Sequence, residues 1–166
     1  MKINEDIIEL ILRDHRPLKK LIEVLKDSAK NRLVKQDQFE EFAKLLMAHT
    51  KAEEKSLYIQ MKELSDLRME SLEAETEHMI AENLIHEINA SPDDDQWNAK
   101  VKVLAELVEH HIEEEETEML EKVRAQMEFE TRKAIGMVYA QIKSDLDRLQ
   151  RPLIKPEQGN SFYTFN

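Results

Sequence analysis

The chain has 166 residues, among them two glycines, four prolines and no cysteine. The lack of cysteine excludes disulfides, iron–sulfur clusters and thiolate metal sites, so a metal here must be held by His, Asp and Glu. A net charge of −11, from 35 acidic and 24 basic residues, with no Lys/Arg stripe to neutralise phosphates, excludes nucleic acid as a partner.

Ala, Leu, Glu, Lys, Met and Gln dominate, and all are good helix formers. The expected class is all-α, an up-down-up-down four-helix bundle with a fifth C-terminal helix. Helix one is expected from Ile3 to Ala29, with Ile8, Ile11, His15, Leu18, Ile22 and Leu25 on one face at alternating steps of three and four. Pro17 lies inside it and predicts a kink or a fresh start. Asn31-Arg32 closes this helix, and Asp37 with Glu40 resembles a capping box for the second. Helix two then places Phe39, Phe42, Leu46, His49, Glu53, Leu57, Met61 and Leu64 on one face, up to a break near Ser65-Asp66.

Helix three carries Ser71, Ala74, His78, Ala81, Ile85 and Ile88, and ends at the Ser91-Pro92-Asp93-Asp94-Asp95 turn. Helix four carries Val101, Leu104, Val108, His111, Glu115 and Met119. Beyond Gln126, Ile135, Val138, Ile142, Leu146 and Leu149 predict the fifth helix. Residues 1–150 are thus one bundle, and 151–166, with Phe162, Tyr163 and Phe165, a C-terminal tail. Nowhere do about 18 apolar residues run together, and the start lacks the apolar segment of a signal peptide. The expectation is a cytoplasmic protein with no membrane partner.

Four histidines, His15, His49, His78 and His111, fall one to a helix on the apolar face. In an up-down-up-down bundle, two residues share a level when the turn lies midway between them. The midpoint of residues 15 and 49 is residue 32, that of 49 and 78 lies between 63 and 64, and that of 78 and 111 between 94 and 95. All three fall in or beside the expected turns, so the imidazoles should share one layer. Glu53 and Glu115 follow His49 and His111 at i+4 and project from the same side of their helices.

A lone histidine on an apolar face is more often a hydrogen-bonded core residue. Four at one level, two with HxxxE spacing, point instead to metal. Two charged glutamates in a core are costly unless paired, and cations remove that penalty. Two divalent ions against two carboxylates leave charge for an oxide or hydroxide bridge or a further carboxylate. Nitrogen and oxygen donors without thiolate fit iron, manganese or zinc, and about six donors suit two higher-coordinate ions better than tetrahedral zinc. His111 continues the Val101, Leu104, Val108 stripe, whereas His110 continues Val103 and Leu107. His110 and Glu114 therefore stand as alternatives to His111 and Glu115. Tyr58, one turn beyond Glu53, is within reach of the site, with core packing as its other reading.

From Asp14-His15, His49-Thr50-Lys51-Ala52-Glu53-Glu54, Glu77-His78 and His111-Ile112-Glu113-Glu114-Glu115-Glu116, residues 5 to 125 resemble the hemerythrin-like, or HHE cation-binding, family. The ordered pattern is H, HxxxE, H, HxxxE. Oxygen-carrying members have HxxxH on the third helix and HxxxxD on the fourth. Here Ala74 replaces the first of those histidines and Glu116 stands where the aspartate would. These departures bring the chain nearer to the branch with proposed iron-centre repair proteins and iron-sensing domains, without the cysteine-bearing extension of many repair proteins.

The resemblance implies a non-haem di-iron centre (Fe2+/Fe3+), with Glu53 and Glu115 bridging and the histidines capping. The replaced histidine implies a position open to oxygen, nitric oxide or peroxide, unless Glu82, one turn after His78, fills it. The functional expectation is a protein that binds or senses oxygen, nitric oxide or iron. The alternative is a di-iron enzyme or iron donor: a ferroxidase, a peroxidase, or a protein that repairs iron centres under stress. No feature of the sequence names a protein partner.

Overall fold

The computed structural model describes residues 5–150. Helix α1 (Ile7–Lys26) starts at Asp6, whose side chain accepts from the Ile8 N–H at 3.0 Å. It runs through Pro17 without restarting. Pro17 is exposed while His15 and Leu18 on either side are buried, so packing of the inward face outweighs the lost backbone bond. The expected start at Ile3 lies outside the described residues.

Helix α2 (Arg32–Glu54) begins earlier than Asp37 and Glu40 suggest. Asn31 accepts from the Val34 N–H at 3.2 Å. This cap precedes Asp37, which is left exposed inside the helix. The break expected near Ser65-Asp66 falls at residues 62–64, and a further one precedes it at Lys55-Ser56. There the Ser56 hydroxyl turns back to donate to the Ala52 carbonyl at 2.6 Å, an alternative to the helical ladder. A short α3 (Leu57–Met61) and a turn lead to α4, whose first residue is Ser65 (Ser65–Asn89). Helix α5 (Asp94–Glu114) is capped by Asp93, which accepts from the Gln96 N–H at 2.8 Å.

Helix four is not uniform. A π turn at Glu115–Met119 separates α5 from α6 (Leu120–Gln126). Helix α7 (Phe129–Gln150) is the expected fifth helix and packs on α1 and α2. Its inward face differs from the expected stripe: Arg132, Ile135, Gly136 and Tyr139 are buried, whereas Val138 and Leu149 are exposed. Gly136 is required, because a Cβ there would lie 2.3 Å from the Glu5 carbonyl oxygen. Arg132 adds a second clamp by donating to Asp6 at 2.9 Å and to the Met127 carbonyl at 2.8 Å. The expected tail, with Phe162, Tyr163 and Phe165, lies outside the described residues.

Short connections make α1, α2, α4 and α5 antiparallel neighbours, and α1 closes the ring against α5. Their core is in two halves. Ile7 to Ile11, Ala52 to Met61, Leu67, Ala74 and Met119 to Val123 contribute to one half. Leu18 to Leu25, Phe39 to Leu46, Ala81 to Ile88 and Trp97 to Ile112 contribute to the other. On α1, α2, α4 and α5 the buried histidine lies at the junction of the two halves. Among the described residues no helix is long and apolar enough to cross a membrane.

Candidate metal centre

His15, His49, His78 and His111 are each at most 5% exposed, and Glu53 and Glu115 at most 1%. Each ring is held through Nδ1. His15 donates to Glu116 at 2.9 Å, His78 to Glu54 at 3.1 Å and His111 to Glu77 at 2.7 Å. His49 donates to the Tyr139 hydroxyl at 2.8 Å. That hydroxyl donates in turn to Asp14, which also pairs with Lys143. A carboxylate only accepts, so it selects the Nδ1–H tautomer and leaves the Nε2 lone pair facing inward.

The four carboxylate supports form a ring. α1 supplies the support for the histidine of α2, α2 for that of α4, α4 for that of α5, and the π turn for that of α1. Two helices thereby fix the direction of every imidazole.

At the centre the donors lack partners. His15 Nε2, His49 Nε2, both Glu53 oxygens and Glu115 Oε2 are buried without a hydrogen bond among the described residues. His15 Nε2 is 3.2 Å from Glu115 Oε2, and His49 Nε2 is 3.4 Å from Glu53 Oε2. His78 Nε2 lies 3.0 Å from His111 Nε2. Two lone pairs meet there unless a proton or another cation intervenes. Donor atoms of His15, His49, Glu53 and Glu115 lie within 4.8 Å of one another, as do those of Glu53, His78 and His111. Glu53 belongs to both sets. Orphaned, inward-facing nitrogen and oxygen donors of this kind fit a cation.

The family model of the Hemerythrin HHE cation binding domain matches residues 6–123. The chain belongs to the hemerythrin HHE cation-binding family. No curated protein and no solved structure matches it at a significant level. The match spans α1 to α6 and stops before α7, so Tyr139, the support of His49, comes from beyond the matched region.

Burial raises the Glu53 carboxyl well above the ordinary glutamate value, and the neighbouring Glu115 charge adds to this. Glu115 is buried too, but His111 and His15 hold it ionised. Burial lowers His49 to about 4 and also lowers His78, so both are neutral near pH 7. His111 goes the other way: against burial, the Glu115 charge and the Glu77 hydrogen bond raise it. Burial pushes the Tyr58 and Tyr139 phenols up, which keeps them protonated donors.

The structure thus brings together His15, His49, Glu53, His78, His111 and Glu115 of this HHE chain. It does not bring in the three further candidates. Glu82 pairs with Lys51 at 3.1 Å and is 35% exposed. His110 and Glu114 pair with each other at 3.2 Å and are 64% and 54% exposed. Tyr58 does more than pack: its hydroxyl donates to Glu115 Oε1 at 2.7 Å, and its ring stacks on His78.

The role of Tyr139 and of the supporting carboxylates was missed from sequence. Part of the signal was available, since a carboxylate stands next to a candidate ligand on all four helices: Asp14, Glu54, Glu77 and Glu116. Nothing local marks Tyr139.

Proposed function

We propose that the buried layer holds two iron ions and that the protein binds or senses oxygen, nitric oxide or iron. The single observation that carries this is Glu53. It is fully buried, both its oxygens lack a partner, and it is common to both donor sets. A carboxylate so placed suits two cations better than one. Family membership supports a cation, and the absence of thiolate with a mixed imidazole and carboxylate set supports iron over softer metals.

In this reading His15, His49, Glu53 and Glu115 would hold one ion, and Glu53, His78 and His111 the other. Bound iron supplies one-electron redox chemistry and coordination positions for a small ligand. The chain's own contribution is to orient and to exclude water. The four Nδ1 supports fix the imidazoles, and Tyr58 donates one hydrogen bond to Glu115 Oε1, leaving Oε2 facing the Nε2 atoms of His15 and His111. The two apolar halves of the core close the layer from both ends.

A small diatomic ligand or peroxide requires a way in. A cleft of about 440 Å³ reaches His111, Glu115 and Ala74 from solvent, and Ala74 presents only a methyl group. This opening also favours the second reading, a di-iron enzyme or iron donor. Anaerobic iron loading followed by metal analysis and optical spectra tests the central claim. About two irons per chain and an absorption that changes with oxidation are expected. Metal content near zero would overturn it.

A further inference from the structure

Outside the metal centre, one buried charge among the described residues has no counterpart. Lys35 of α2 is 2% exposed, and its ammonium makes no hydrogen bond or ion pair among the described residues. Lysine is almost never buried this far unless paired, and a buried ammonium without an acceptor is costly. Lys35 lines a cleft of about 410 Å³, together with Lys26 at the end of α1, Lys30 in the connection to α2, and Lys102 of α5. The charges that act on its ammonium are those of Asp27, Lys30 and Lys102, which places the ammonium at the cleft, between the connection and α5. We infer that this cleft is an anion site that takes a phosphate group, as the free ion or as the monoester of a small molecule.

The neighbouring charges leave Lys35 unmatched. Asp27 is not its partner, because one carboxylate oxygen accepts from the Ala29 N–H at 2.9 Å and the other pairs with Lys30. Lys26 pairs with Glu109, and Lys102 stands 3.9 Å from Glu106. Burial pulls Lys35 below the ordinary lysine value; Asp27 opposes this, and Lys30 and Lys102 reinforce it. Water in the cleft would hydrate the ammonium but bring no charge to offset the repulsion among the three lysines. An anion does both.

Four lysines around one cleft suit a ligand with more than one negative charge, and a phosphate monoester carries roughly −1.5 to −2 at pH 7. Lysine binds phosphate as a point charge. Asn31, the cap of α2, also lines the cleft, so the positive end of that helix adds to the field. Asp95, the acidic residue among the walls, is exposed, where solvent screens it. The four lysines are scattered along the chain, so no basic stripe marks them in the sequence. Lys26 is about three turns from His15 along α1 and Lys35 about four from His49 along α2, roughly 16 and 21 Å. The site is therefore separate from the metal centre and independent of the metal-binding reading.

The test is calorimetric titration of the metal-free full-length chain at low salt, with inorganic phosphate and separately with glycerol 3-phosphate. Saturable binding at one site per chain is expected, and the tighter of the two ligands tells free ion from monoester. Acetate, with a single charge, should bind at least ~10-fold more weakly. Lys35→Met keeps the buried stem without its charge; phosphate should bind at least ~10-fold more weakly, with the phosphate-free melting temperature kept or raised. Lys102→Gln, at an exposed position, should weaken binding as well. Lys122→Met makes the same change of net charge on another face and should bind as wild type does. No saturable binding of either phosphate up to about 10 mM would overturn the site. So would wild-type affinity in Lys35→Met, or in Lys102→Gln should Lys35→Met not fold. Equal weakening by Lys122→Met would overturn it by assigning the effect to net charge, and acetate binding as tightly as phosphate would overturn the ligand class.

Discussion

Glu53→Gln should make the metal-free protein more stable while destroying its metal site. The side chain is fully buried and neither oxygen has a partner. Without metal, its carboxyl is raised well above the ordinary 4.5, first by burial and then by Glu115. A group whose folded pKa is raised contributes its full stability below the unfolded value, here 4.5. That stability is lost as pH rises through the folded pKa. Glutamine keeps the shape and carries no such penalty. The variant should therefore match wild type near pH 4.5 and exceed it increasingly toward pH 8.

The effective cost of one buried, unpaired ion is several kcal/mol. Taking ~3 kcal/mol, and roughly 2–4 °C per kcal/mol for a chain of this size, the melting temperature should rise by roughly 6–12 °C at pH 8. Thermal denaturation followed by circular dichroism, in chelator at pH 4.5 to 8, reads this directly. Repeating the melts with saturating metal should reverse the order, because ligand binding stabilises wild type by mass action and the variant much less. A metal-free variant less stable than wild type across the pH range would refute the reasoning, since Glu53 would then be a satisfied structural residue.

His78→Ala removes one imidazole from the Glu53, His78 and His111 set, so metal analysis should fall from about two ions per chain toward about one. His15→Ala should do the same at the other set. Tyr139→Phe deletes the hydroxyl between His49 and Asp14; metal affinity in a competitive chelator titration should fall by about 10- to 100-fold with the helical signal retained. Gly136→Ala places a Cβ against the Glu5 carbonyl oxygen, an overlap that should cost about 1–3 kcal/mol in denaturant melts. The same change should loosen Tyr139 from His49.

The four ligand-bearing helices were readable because the chain repeats one device four times: a histidine in an otherwise apolar stripe, at a distance from each turn that sets its level. Helix periodicity and turn midpoints are local quantities, and short connections convert them into a common layer. The preference for His111 over His110 came from the same source, because only one of two adjacent residues continues a given stripe. Absence of cysteine limited the donors to nitrogen and oxygen before any fold was known.

Element ends were less legible, since several residues compete to cap or break a helix and tertiary packing chooses among them. Pro17 is carried through a continuous α1, Asn31 rather than Asp37 starts α2, and Ser56 interrupts what reads as one long amphipathic helix. The stripe of α7 was misassigned at Val138 and Leu149, because its inward face is set by a close approach to the start of α1 at Gly136.

Which carboxylate supports which histidine was decided only by the tertiary structure. Adjacent residues on a helix point about 100° apart, so Asp14, Glu54, Glu77 and Glu116 turn away from their own neighbours and reach the next helix round the ring. Sequence determined the candidate donors, their helices and their level. The three-dimensional packing determined the direction of each ring, the partnerless state of Glu53, and the cleft that connects Glu115 to solvent. Those depend on distances between helices, which no spacing along a single helix contains.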